Sequence, residues 1–210
     1  MAMAKAAALT LANICLDVQI GICMFLHPPD ILALRKVCRH RKFLLLKSMK
    51  SCKTCKALQP STRKRVVWVA ALHRICLDNM LFLPSFPISD MSDLELERAA
   101  MAPRRWIELC GAFKKQHSND PGAILHPRAT RILNDSFATE VNYATTDIFL
   151  VPGGRYLVSS SPGGISILDL GYTSSADCKL IASVEPEGGS DTCIVQATPD
   201  GMGMTIFSNA

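Results

Sequence analysis

Two pairs of potential metal ligands, Cys52-x2-Cys55 and His73-x2-Cys76, lie 17 residues apart. Thiolate and imidazole at this spacing are the ligand types of a tetrahedral zinc site. That chemistry needs a tight knuckle turn at the first pair, so that both sulfurs face one ion. Lys53-Thr54 supplies neither a glycine nor an aromatic knuckle residue, and Trp68 to Leu77 reads as continuous helix. Phosphate binding is a second chemistry to weigh. From Arg35 to Arg74 there are 13 Lys or Arg and no Asp or Glu, including the run Arg63-Lys64-Arg65. Such a segment can neutralise a nucleic-acid backbone, yet no aromatic stacking platform accompanies it. A solvated basic face or a localisation signal is the simpler use. A module binding zinc or nucleic acid through Cys52, Cys55, His73, Cys76 and the basic 35–74 segment stands as the alternative reading.

Catalytic constellations are not legible. The chain carries no Gly-x-Ser-x-Gly and no phosphate loop, and no carboxylate pair flanks a histidine. His27, His73 and His117 are isolated. The expectation is a non-enzymatic protein without a cofactor.

Composition narrows the class further. With 49% hydrophobic and 20% charged residues, the 210-residue chain can bury a core in one domain or two. Its net charge of +5 is local: residues 37–53 hold six of the cations, and removing them takes the charge to −1. The nine cysteines sit mostly in apolar runs such as Ile22-Cys23-Met24, the pattern of buried reduced thiols rather than of a disulfide framework. Near the start, Lys5 and the apolar run Ala6 to Leu16 imitate a signal peptide, but Asp17 ends the run without a clean cleavage site. Asn13, Asp17 and Gln19 make the stretch too polar for a membrane span. A cytoplasmic or nuclear protein with no membrane partner is expected.

The elements that must position any site follow from periodicity. Ile14, Val18, Ile22, Phe25 and Leu26 recur at three- and four-residue steps and make one apolar helical face. His27-Pro28-Pro29-Asp30 stops that helix, and Asp30 is expected to cap the next one from Ile31. Ser92-Asp93-Leu94-Glu95 is a capping box opening a helix within 90–117, strained at Pro103, with Trp106 expected as a core anchor. Residues 118–130, with Asn119-Asp120-Pro121-Gly122 and Pro127, read as an interdomain loop.

From about residue 145 the period changes to that of strands. Ile148 to Val151, Tyr156 to Val158, Ile165 to Leu168 and Leu180 to Ala182 are short apolar runs separated by Gly- and Pro-rich turns. Four such strands make an antiparallel meander. Pro199-Asp200-Gly201 then repeats Pro152-Gly153-Gly154 after 47 residues, a period that fits propeller blades. About one and a half blades are present, and the chain is expected to be a fragment of a longer protein.

Residues 14–36 resemble the first half of an F-box. Leu16-Asp17 match its opening, with Cys15 where proline is usual. Ile20, Ile22 and Leu26 match the first helix, and Pro29, Asp30, Leu32, Leu34 and Arg35 the turn and second helix. The stretch "TCKALQPSTRKRVVWVAAL", residues 54–72, resembles the ending, with Cys55, Leu58 and Trp68. Joining Lys36 to Thr54 restores an uninterrupted motif, so residues 37–53 read as a 17-residue insertion that loops out or prolongs the second helix. A retained intron is one hypothesis for its origin, since a Val codon begins GT and a Lys codon can end AG. Finding the segment in the dominant spliced message contradicts it.

The whole is similar to fungal F-box proteins with WD-repeat-like C-terminal regions, with Trp-Asp reduced to Leu168-Asp169. The resemblance implies an α+β multidomain chain. An F-box-like helical domain would span 12–80, a helical linker 81–140 and a partial β-propeller 141–210. It implies a non-catalytic adaptor of an SCF-type ubiquitin ligase that joins a Skp-type adaptor and a cullin ligase to an unknown protein substrate. The residues implied to build or support the docking surface are Leu16, Asp17, Ile20, Ile22, Leu26, Pro29, Leu32, Leu34 and Trp68.

Overall fold

The protein is described by a computed structural model. It covers residues 14–44, 60–118, 120, 122–126, 130, 147–161, 164–173, 176–185 and 193–208. These fall into two compact units, Met1–Arg74 with Met91–Trp106 and Ile75–Asp90 with Ile107–Ala210. The segment 81–140, read from sequence as a linker, is thus shared between the two. Among the described residues there are five α-helices and two antiparallel sheets, and the strands do not close into a ring.

The first unit begins with α1, Leu16–Met24, whose N-cap Cys15 is extended and makes no side-chain cap. The helix ends where Phe25 and Leu26 donate back to the carbonyls of Ile22 and Cys23. Helix α2, Pro28–Leu44, starts with two prolines, which cost nothing at positions whose N–H groups have no helical partner. The His27 carbonyl accepts from the N–H groups of Asp30 and Ile31 at 2.9 and 3.1 Å, so the helix starts earlier than the sequence suggests. Asp30 is therefore not the cap. It lies in the first turn, where its charge complements the helix dipole.

Residues 37–44, the start of the expected insertion, continue α2. Leu45 to Gln59, with Cys52, Cys55 and Leu58, lie outside the described residues. After a turn at Pro60 to Arg63, α3 spans Arg65–Asp78. The fully buried side chains of this unit include Ile31, Val67, Trp68, Leu72 and Leu96.

Helix α4, Asp93–Ala100, carries the expected capping box: the Glu95 N–H donates to the Ser92 hydroxyl, and the Ser92 N–H donates to the Glu95 carboxylate. The single helix expected over 90–117 is in fact two. Pro103 has no N–H to continue the α4 ladder, so the chain breaks at Met101 and restarts as α5, Ala102–Gln116, with Pro103 in its first turn. This restart corrects the expectation for Trp106. Helix α5 buries none of its residues, and Trp106 is 58% exposed rather than a core anchor.

In the second unit, β1 (Asp147–Leu150), β2 (Tyr156–Ser161), β3 (Gly164–Asp169) and β4 (Lys179–Val184) form the expected meander in sequence order. Strands β5 (Cys193–Ala197) and β6 (Met204–Ser208) form a separate hairpin. The 47-residue repeat is present in the backbone. Each pair of β1–β2, such as Leu150 opposite Leu157, recurs in β5–β6, as Ala197 opposite Met204. The turns agree as well: Gly154 donates to Val151 as Gly201 donates to Thr198.

The core of this unit holds Phe82, Val151, Val158 and Val195, flanked by Phe149, Tyr156, Ile165, Ile167, Met204 and Ile206. Phe82 and Leu83 donate their N–H groups to the carbonyls of Pro152 and Gly201, at 2.9 and 3.0 Å. One short segment is thereby stitched to both hairpin turns. Arg155, before β2, forks onto the Asp169 carboxylate at the end of β3, at 2.9 and 2.7 Å.

Candidate partner-binding surface

On α1 the hydrophobic pattern and the buried face do not coincide. The residues turned inward are Gln19, only 3% exposed, and Cys23. The Gln19 amide donates to the Ile14 carbonyl at 2.9 Å, which satisfies a group that is costly to bury alone. Burial pushes the Cys23 thiol above its ordinary range, with a hydrogen bond to Ser61 opposing the shift. Val18, Ile22 and Phe25, spaced four and three residues apart, form one stripe turned to solvent, with Phe25 81% exposed. An apolar stripe outside and a glutamine inside is the reverse of what a purely intramolecular helix does.

The positions on which the resemblance to an F-box rests differ in exposure. Leu16 and Asp17 are exposed, and Ile22 belongs to the stripe. Ile20, Leu26, Pro29, Leu32 and Leu34 are half-buried, and Trp68 is fully buried. Sequence reasoning placed Val18 and Phe25 on the apolar face but did not count them among the docking residues. Their spacing with Ile22 was the available signal.

Trp68 is held from two sides. Its indole N–H donates to the Thr62 carbonyl at 3.0 Å, and the Arg35 guanidinium lies over its ring, 5.5 Å from the centroid. Arg35 also donates to the Thr62 carbonyl at 2.8 Å and to the Glu97 carboxylate at 2.7 Å. One arginine therefore joins α2, the turn before α3, the α3 tryptophan and α4. Its fork and flat face explain why lysine would not serve equally.

The basic segment is partly used up by the fold. Besides Arg35, Arg65 donates to the Met91 carbonyl and stands 3.5 Å from the Asp93 carboxylate. Arg74 donates to the Met24 and Leu26 carbonyls, closing the C-terminal end of α1. Arg63, Lys64 and Lys36 face solvent.

Of the zinc-type residues, Cys52 and Cys55 lie outside the described residues. His73 is exposed, while Cys76, three residues on, is buried, and burial pushes its thiol up to about 12. Among the described residues no three His, Cys, Asp or Glu side chains converge as a metal site, and no helix is long and apolar enough to cross a membrane. Comparison with known protein families, with curated proteins and with solved structures yields no match to this chain.

Proposed function

We propose that the chain is a non-catalytic interaction adaptor, the F-box subunit of an SCF-type ubiquitin ligase. It docks on a Skp-type adaptor, and through it on the cullin ligase, by the Val18–Ile22–Phe25 stripe of α1 with Leu16 beside it. Trp68 and Arg35 support that surface from within by holding α2, α3 and α4 together. The sheets are read as blades of a WD-repeat-like propeller that presents loops to a protein substrate, in the cytoplasm or nucleus.

The observation that carries this reading is the exposed apolar stripe of α1 set against its buried Gln19. Burying Ile22 and Phe25 against a partner is worth roughly 1.5–3 kcal/mol each, and a partner that supplies an apolar groove is the natural recipient.

Co-purification with a Skp-type adaptor tests the reading, using the full chain beside a form lacking residues 37–53. Retention of the adaptor by both means that the helical continuation of α2 is tolerated. Retention by the shortened form alone means that the inserted residues silence a functional F-box. If neither form retains it, the adaptor reading fails.

A further inference from the structure

The four-stranded sheet has a second face, which the core does not use. Residues directly opposite on antiparallel strands share a face. The register Leu150–Leu157–Leu168–Leu180 therefore sets one leucine from each of four strands in a single row. Ile148 lies on the same face, two residues before Leu150. Ile148 is 67% and Leu150 54% exposed, and Leu180 is exposed as well. Leu157 and Leu168 are half-buried in the middle of the row, and Ser159 and Ser166 share the face with Ile148.

The repeat shows how the equivalent face of the second hairpin is packed. Shifted by 47 residues, Ile148, Leu150, Leu157 and Ser159 become Val195, Ala197, Met204 and Ile206. In the second hairpin Val195, Met204 and Ile206 pack onto the core of the four-stranded sheet, against the side of Phe149, Val158 and Ile167. The positions equivalent to that receiving side are Ile194, Gln196, Thr205 and Phe207, and these point away from the core on β5–β6. Ile194 and Phe207 are exposed, Phe207 at 53%. The described residues thus hold both halves of one sheet-to-sheet contact: an exposed inserting face on β1–β4 and an exposed receiving face on β5–β6.

We propose that this chain self-associates head to tail, the leucine row of one copy packing on the Ile194/Phe207 face of the next. The contact repeats between chains the packing that already exists within one. It is heterologous, so each added copy leaves one face free, and the series closes into a ring or continues. The inference does not depend on the adaptor reading, which rests on α1.

Sedimentation of the full chain across a wide range of concentration tests it. The wild type is expected to form species larger than a monomer. Leu150→Glu with Leu180→Glu breaks the inserting face, Phe207→Glu breaks the receiving face, and each variant alone is expected to stay monomeric. Mixed together, the two variants keep one intact half each and are expected to give a dimer and nothing larger. Ile148→Thr and Ile194→Thr, which retain strand-forming residues, should shift assembly the same way more weakly, so a folding defect in a Glu variant does not decide the result. A wild type that is monomeric throughout overturns the proposal. So does wild-type assembly that Phe207→Glu leaves unchanged, because that is the behaviour of a symmetric contact or of strand-edge pairing.

Discussion

Arg35 ties several parts of the helical unit together, because its fork reaches Glu97 and Thr62 while its face lies on Trp68. Replacing it by alanine leaves a half-buried carboxylate and a backbone carbonyl without their charged donor. Arg35→Ala should cost about 2 kcal/mol in urea unfolding, and Arg35→Lys should recover only part of that. The cysteines make a different statement at the same scale. Cys15 and Cys110 are exposed, whereas Cys23 and Cys76 are buried with thiols shifted upward. A maleimide at neutral pH should modify Cys15 and Cys110 in the native protein and reach Cys23 and Cys76 only after denaturation, as peptide mass spectrometry will read.

Two joints in the sheet unit fix its elements in register. Gly153 has φ +116°, and a Cβ there would lie 2.6 Å from the Ser85 side chain. Gly153→Ala should therefore lower stability by about 1–3 kcal/mol, seen as a lower melting temperature, since both backbone strain and the clash act together. Asp169 ties the end of β3 to Arg155, whose hydrogen bond holds its carboxyl below the ordinary value of 3.8. The folded state then binds this proton more weakly than the unfolded state. The pair's stabilisation is present above the ordinary Asp range and is lost as pH falls through and below it. The stability difference between wild type and Asp169→Asn should shrink correspondingly on acidification.

How legible these elements were depended on how local their causes are. The meander and its 47-residue echo were readable because a strand period and a Pro/Gly turn need only neighbouring residues. The Ser92–Glu95 capping box was readable for the same reason. The start of α2 was misplaced because Pro28 and Pro29, read as a stop, also make a good first turn. Trp106 was misassigned because a large aromatic residue implies burial only if its helix is aimed at a core, and Pro103 re-aims this one. Arg35 could not be found from spacing, since its partners Thr62 and Glu97 are 27 and 62 residues away.

At the scale of the whole molecule, one unit offers an apolar helix stripe and the other offers apolar sheet faces. Ile22→Glu with Phe25→Glu changes residues that are 41% and 81% exposed, so the circular dichroism should stay native and the melting temperature should fall only modestly. Calorimetric titration with a purified Skp-type adaptor is the most direct measurement. The wild type is expected to bind, and the double variant to lose about 3 kcal/mol or more, a Kd weaker by on the order of a hundredfold. Equal affinity for wild type and variant, or no binding by the wild type, would contradict the adaptor reading.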